Sequence, residues 1–339
     1  MMSDAGASAV ADVAFGVDIG GTKVLGVALD ATSTVVAEAR VATPRSGGRG
    51  EGAAVADAVV DVVAQLDAAT GTGRGGFVRD APVVGVGAPG MVNREGRLCF
   101  SPNLPQGQGV DWRDLIGGRL PGRKIVIEND ANFAMLAEHR LGAAQGYRHV
   151  VMVTLGTGIG GGLVVDGQVQ VGAHGFAGEI GHMVVDPAGP PCPCGRRGCW
   201  ERYASGGGLG LLAREAALAG TLPGVVAVSG GDPESVRGED VTAAALSGDA
   251  DARRVVEEVG WWVGFGLANL ACVLDPECFV LGGGLVGAGD LLLDASRRAY
   301  AQLVEGGTTR PPARIVPAML GERAGAVGAA LGARAGGLG

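Results

Sequence analysis

The chain repeats itself. Residues 14–30, AFGVDIGGTKVLGVALD, and residues 151–166, VMVTLGTGIGGGLVVD, each read as strand, glycine-rich turn, strand. Laid together without gaps, Asp18 falls on Thr154, Gly20 on Gly156 and Asp30 on Asp166. A hairpin with such a turn offers backbone N–H groups to an anion. Two copies predict two similar domains facing each other across a cleft, and a length of 339 residues leaves room for both.

Around the hairpins, strands and helices alternate, which places the chain in the α/β class. Residues 51–69 put Val55, Val59, Val62 and Leu66 on one helical stripe. Val83 to Ala88 reads as a short buried strand. Ile125 to Ile127 reads as another, running into Glu128-Asn129-Asp130 and a helix to about Leu141. Residues 251–274 predict a long apolar helix, and Cys278 to Leu281 a strand ending in Gly282-Gly283-Gly284. Ala324 to Ala333 predicts a helix of small residues. Glycine-rich stretches at 70–76 and 221–238 read as surface insertions.

Hydrophobic residues make up 47% of the chain and aromatics only 4%, so the core is aliphatic and disorder is excluded. The formal net charge of −8, with scattered basic residues, leaves no footprint for nucleic acid. The N-terminus MMSDAGASAVADVA lacks the basic region of a signal peptide. The most apolar stretches, Val150 to Val165 and Trp261 to Leu274, are broken by glycine and too short to span a bilayer. A soluble, cytoplasmic protein without a membrane partner is the expectation.

Four constellations carry chemistry. In Asp18-Ile19-Gly20-Gly21-Thr22-Lys23, the glycines admit a phosphate close to the backbone. Thr22 donates a hydroxyl, Lys23 adds charge, and Asp18 suits a metal-bound water. There is no G-x-x-x-x-G-K-[ST] run, so this is not a P-loop. Leu155 to Gly162, with Gly156 and Thr157 at its turn, is a second phosphate wrap, or else a tight hairpin without a ligand. Asp130, at a strand end and helix start, reads either as an N-cap or as a general base for a sugar hydroxyl. As a base it would be weakened by the helix N-terminus. Last, Glu179-Ile180-Gly181-His182 precedes Cys192-Pro193-Cys194-Gly195-Arg196-Arg197-Gly198-Cys199. Three thiolates and one imidazole (His182, Cys192, Cys194 and Cys199) make a closed tetrahedral zinc site, structural because no position stays open. Cys192 and Cys194 are too close for a relaxed disulfide. Cys99, Cys272 and Cys278 sit in apolar contexts and read as buried fillers.

The D-I-G-G-T-K turn, the L-G-T-G-I-G-G-G turn, E-I-G-H and C-P-C-G-R-R-G-C-W-E resemble the ROK family of sugar kinases and sugar-responsive repressors. The resemblance spans residues 14 to 333. The run from Gly198 to Gly206 looks most like the bacterial glucokinases of that family. It implies a two-domain, actin-like ATPase fold of ribonuclease-H type, with ATP in the cleft between domains. The expected small domain covers 12–128 with a C-terminal helix at 322–335; the large one covers 129–321, with the zinc loop and an oligomerisation surface. By motif position Asp130 is the catalytic base. Asn103, Asn129, Glu179, His182 and Glu201 bind sugar hydroxyls, and His182 ligates zinc through its other nitrogen. Asp18, Gly20, Gly21, Thr22 and Lys23 face the phosphates with Gly156 and Thr157, while Gly283 and Gly284 lie near the nucleotide.

The implied activity is phosphorylation of glucose by ATP with Mg²⁺, in a homodimer or homotetramer. Kinases for N-acetylmannosamine, fructose or allose stay open, as does polyphosphate as donor; the absence of a basic run favours ATP. A repressor of the same family is the alternative of another class, but only about a dozen acidic and small residues precede the first strand, where such repressors carry a helix-turn-helix. The stretch Gln106-Gly107-Gln108-Gly109 and the long 221–238 loop depart from the family pattern.

Overall fold

The computed structural model describes residues 13–44, 52–72, 82–102 and 104–338. In chain order the elements are β1 (Ala14–Ile19), β2 (Lys23–Leu29), β3 (Val35–Ala42), α1 (Ala53–Thr70), β4 (Val84–Ala88), β5 (Met91–Val92), β6 (Leu98–Phe100), α2 (Trp112–Gly117), β7 (Ile125–Asn129) and α3 (Asp130–Leu141). There follow β8 (Val150–Leu155), β9 (Ile159–Val165), β10 (Gln168–Val169), α4 (Glu201–Ala204), α5 (Gly206–Leu218), α6 (Pro223–Val228) and α7 (Gly238–Leu246). The chain closes with α8 (Ala250–Leu274), β11 (Cys278–Gly282), α9 (Asp290–Leu303), β12 (Arg314–Pro317) and α10 (Ala324–Ala335). Two compact units result: Met1–Gln145, Gln168–Gly178 and Leu320–Gly339 form one, and Gly146–Gly167 with Glu179–Met319 the other.

The first unit is built on a sheet of order β3-β2-β1-β4-β7. β1 runs antiparallel to β2 and parallel to β4, which runs parallel to β7. The central strands are near-continuous apolar runs because helices cover both faces. α1 covers one face with Val55, Val59, Val62 and Leu66, all fully buried. α10 covers the other at backbone contact. A Cβ on Gly16 of β1 would lie 1.9 Å from the Ala326 carbonyl oxygen, and one on Gly85 of β4 1.9 Å from that of Ala329. This explains a helix made of small residues: any larger side chain at either surface would lift α10 off the sheet. α3 packs against α10. The first unit therefore runs past residue 129, where the sequence reading starts the second domain.

In the second unit, β8 runs antiparallel to β9 and parallel to β11, which runs parallel to β12. The order β9-β8-β11-β12 thus repeats β2-β1-β4-β7 in order and direction, so the duplication reaches beyond the hairpins. The turns differ by one residue. Ile19 pairs with Val24 in the first copy, whereas Leu155 pairs with Ile159 in the second. The gapless superposition of the two sequences is therefore out of register after the turn. Helices α5, α7, α8 and α9 supply a core that includes Trp200, Val259, Val263, Leu267, Phe279 and Leu292. Trp200 is locked on α8: its Nε1 donates to the Trp262 carbonyl at 2.7 Å, and a Cβ on Gly266 would lie 2.0 Å from its ring.

Some expectations need correcting. The 221–238 stretch is no loose insertion, since α6 and a 3-10 turn at Pro233–Ser235 bury Leu222, Val225 and Val236. Gln106 is buried too, and its Nε2 donates to the Pro44 carbonyl at 3.2 Å. Of the three cysteines read as fillers, only Cys278 is buried; Cys99 is half-buried and Cys272 exposed on α8. The glycine-rich segment after α1 lies partly outside the described residues. Among those described, no helix is long and apolar enough to cross a membrane.

Candidate active site

In the first unit, the turn after β1 is a closed loop pinned to β3. Gly20 N–H donates to the Lys23 carbonyl at 2.9 Å, and Thr43, just past β3, donates its hydroxyl to the Gly20 carbonyl at 2.6 Å. Gly21 and Thr22 are exposed, and a Cβ on Gly21 would meet nothing within 4 Å. The tip is therefore bare backbone, as anion binding requires. Lys23 forms an ion pair with Glu322. Its charge is thus partly compensated within the unit.

Asp18 lies one residue before the end of β1, in register with Gly87 of β4, and Gly87 is in register with Glu128 of β7. Its Oδ1 is buried without a hydrogen-bond partner. Burial pushes its pKa up to about 7; the charge of Asp130 adds to the rise and Lys23 opposes it. Asp130 is the first residue of α3, and its Oδ1 accepts from Ala131 N–H at 2.9 Å. Burial pushes its pKa up to about 6. The sequence reading expected the helix N-terminus to hold this carboxyl low, and desolvation outweighs it. The N-cap is Asn129, not Asp130. Asn129 Oδ1 accepts from Asn132 N–H at 3.0 Å, and its Nδ2 donates to the Gly90 carbonyl at 3.0 Å. Asp130 is thereby not needed as the N-cap, and its side chain bonds the Ala131 N–H of the first turn. Asn103 lies outside the described residues.

In the second unit, the turn after β8 is closed by Gly156 N–H donating to the Gly158 carbonyl at 3.0 Å. It is seated on the start of α5, where Gly206 N–H donates to the Gly156 carbonyl at 2.8 Å and Gly207 N–H to that of Thr157 at 3.2 Å. Ser205, the N-cap of α5, has its hydroxyl 3.1 Å from the Thr157 carbonyl. Gly283 sits beside the same turn: its φ is 86°, and a Cβ there would lie 2.5 Å from the Leu155 carbonyl. A Cβ on Gly284 would meet nothing within 4 Å.

The four candidate ligands converge. The ligand atoms of His182, Cys192, Cys194 and Cys199 all lie within 4.8 Å of one another. Cys194 and Cys199 sulfurs are 3.6 Å apart, and Cys192 Sγ is 3.7 Å from His182 Nδ1. A tetrahedral ion at about 2.3 Å from sulfur and about 2.0 Å from nitrogen holds its ligands roughly 3.5–3.8 Å apart, so the set fits zinc. Arg196 fixes the His182 backbone, its Nη2 donating to the His182 carbonyl at 2.8 Å. The opposite ring nitrogen, Nε2, is 3.9 Å from Glu179 Oε2. Glu201 joins the cluster to the turn. Its Oε1 is 3.1 Å from Cys192 Sγ and 3.7 Å from His182 Nδ1, while Oε2 accepts from Ile159 N–H at 3.4 Å.

The structure therefore assembles Asp18, Gly20, Gly21, Thr22, Lys23, Asn129 and Asp130 in the first unit. Gly156, Thr157, Glu179, His182, the three cysteines, Glu201 and Gly283 gather in the second. Sequence reasoning missed Gly87 and Gly325, which pack against the Asp18 carboxylate, and Ser205, which anchors the second turn. An isolated glycine in V-G-V-G-A is the available signal, because it marks a close approach in a strand.

The sequence profile of the ROK family matches residues 14–335. A glucokinase of Streptomyces coelicolor is 38% identical over 323 residues, covering 93% of this chain and 95% of the relative. The solved ROK family glucokinase of Streptomyces griseus, in complex with glucose and AMPPNP, is 37% identical with a TM-score of 0.81, covering 94% of this chain and 98% of its own. The ROK hexokinase of Thermus thermophilus is 35% identical with a TM-score of 0.71, covering 94% and 97%. These likenesses bear out the expected actin-like α/β architecture with two sheets.

Proposed function

The chain belongs to the ROK family, and we propose that it transfers the γ-phosphoryl group of ATP to glucose, giving glucose 6-phosphate and ADP. The observation that carries this reading is the state of Asp130. It is a buried carboxylate at the first position of α3, not its N-cap, with a pKa raised to about 6, close to the value a general base needs near neutral pH. In the step assigned to it, Asp130 takes the proton of the sugar 6-hydroxyl. The oxygen bonds to the γ-phosphorus, and the bond from that phosphorus to the β-phosphate oxygen breaks, with ADP leaving. Such transfers depend on positioning and charge stabilisation more than on base strength.

We assign Asn103, Asn129, Glu179, His182 and Glu201 to the sugar hydroxyls. A pocket that hydrogen-bonds several hydroxyls rejects sugars that leave a buried partner unpaired. Gly20, Gly21, Thr22 and Lys23 are assigned to phosphates, together with Gly156, Thr157, Gly283 and Gly284. The unpartnered oxygen of Asp18 suits a water of the Mg²⁺ that accompanies ATP. A zinc ion on His182, Cys192, Cys194 and Cys199 would supply rigidity and no reaction step, because all four positions are taken by protein. Through His182 and Glu201 it would orient two sugar ligands. The reading extends to a cytoplasmic homodimer or homotetramer, for which half-exposed Trp261 on α8 offers apolar surface.

A coupled assay with ATP or polyphosphate against glucose, N-acetylmannosamine, fructose and allose tests the assignment. Glucose with ATP should show the highest kcat/KM. Preference for another sugar, or for polyphosphate, replaces glucose or ATP as the assigned substrate; no turnover with any of them removes the kinase.

A further inference from the structure

The first sheet has an open edge at β7, and a basic cluster there takes no part in the proposed chemistry. A cavity of about 480 Å³ runs along this strand, lined by Arg94, Arg113, Arg123, Lys124 and Glu128 and closed by the C-terminal residues 336–338. Among the described residues β7 pairs only with β4, so every second backbone N–H along it points away from the sheet. In a chain of net charge −8, four cations against one carboxylate is a local reversal of sign.

Most of that charge is uncompensated. Arg113 and Lys124 are exposed and have no carboxylate partner among the described residues. Arg94 donates from Nε and Nη2 to the carbonyls of Gly172 and Ala173 at 2.7–3.2 Å, neutral acceptors that fix the guanidinium without cancelling it. Arg123 is paired with Asp67 at 2.6 Å, yet its Nη1 is buried with no acceptor. Glu128 is the one acidic side chain in the lining. Burial favours its neutral form; against that, its Oε1 accepts from Asn129 N–H at 2.8 Å and Asn132 Nδ2 at 3.2 Å, and these donors and the Arg94 charge favour the ionised form.

We propose that this edge cavity binds a small phosphate-bearing anion of about the size of a sugar phosphate. Guanidinium groups match phosphate oxygens in paired hydrogen bonds, and Lys124 adds a mobile charge. The volume falls in the range of pockets that enclose small metabolites, roughly 300–1,000 Å³. The cations line one half-open cavity and do not continue as a stripe over the surface, which favours a compact anion over a polymer.

Calorimetric titration of the full chain with inorganic pyrophosphate, and separately with glucose 6-phosphate, distinguishes a bare phosphate from a phosphorylated sugar as the source. Wild type should bind at least one probe, and Arg113→Glu/Lys124→Glu should weaken that binding by about tenfold or more. The charge-matched pair Arg254→Glu/Arg298→Glu, on exposed positions of α8 and α9, should stay within about twofold. Should charge reversal unfold the chain, Arg113→Gln/Lys124→Gln removes both charges and must give the same ordering. No binding of either probe, or an equal loss in both double variants, or no loss in the first, overturns the proposal. The readout is binding, so it stands apart from whether the chain phosphorylates glucose.

Discussion

Asp18 and Asp130 both close on Gly87: a Cβ there would lie 3.3 Å from Asp18 Oδ1 and 3.3 Å from Asp130 Cα. Two carboxyl groups are thus brought into one desolvated corner of the first unit, where each charge is costly and the charge on Asp130 raises the pKa of Asp18. Packing alone would favour apolar side chains there, so the pair stands out as a candidate functional site.

The pH dependence of phosphorylation follows from the raised pKa of Asp130. A base must be deprotonated to act, so kcat/KM should hold above pH about 7 and fall by about tenfold per unit below pH about 6. A rate profile flat down to pH 5 would show that another group takes the proton.

The same burial makes Asp18 a stability liability. Its folded pKa of about 7 lies above the ordinary 3.8, so its contribution to stability is fully present below pH 3.8 and is lost as pH rises through 7. At pH 8 Asp18→Asn removes a costly charge and should raise Tm by about 2–4 °C, while phosphorylation is abolished. Near pH 4 the gain should shrink. Scanning calorimetry at both pH values checks the sign, and a lower Tm at pH 8 would contradict it.

Gly325 on α10 offers a subtler probe. A Cβ there would lie 2.7–2.9 Å from the Asp18 carboxyl atoms, which can move only by leaving their place. Helix propensity favours alanine over glycine by about 1 kcal/mol. Gly325→Ala should therefore melt near the wild-type temperature yet lose about tenfold or more in kcat/KM for ATP. Unchanged kinetics would mean that the position of Asp18 does not matter.

For the cysteine cluster, elemental analysis of the purified chain should find about one zinc per chain. Removing it with a chelator, or substituting buried Cys199→Ser, should lower Tm and weaken glucose binding, since His182 and Glu201 would lose their anchor. A chain without metal and with an unchanged melt would remove the zinc.

Much of this was legible from residues alone. The doubled hairpin pointed to two similar domains, and each copy opens one of the two five-stranded sheets; Glu128-Asn129-Asp130 fell where expected, at the end of β7 and the start of α3. The Cys-rich loop converged because its ligands are near in sequence. What escaped depends on contacts between distant segments. The packing of Gly325 on Asp18 joins positions 307 residues apart, and no local pattern reports it. The pKa of Asp130 was misjudged in direction because a helix N-terminus can be read from sequence while desolvation cannot. Assigning α3 to the first unit required seeing it pack on α10.

The central claim is that Asp130 accepts the proton from the sugar. Asp130→Asn keeps the shape of the side chain and removes the base, so kcat for glucose phosphorylation should fall by about 10²–10⁴, with glucose binding by calorimetry nearly unchanged and the chain folded. Turnover near that of wild type in the same variant would contradict the account.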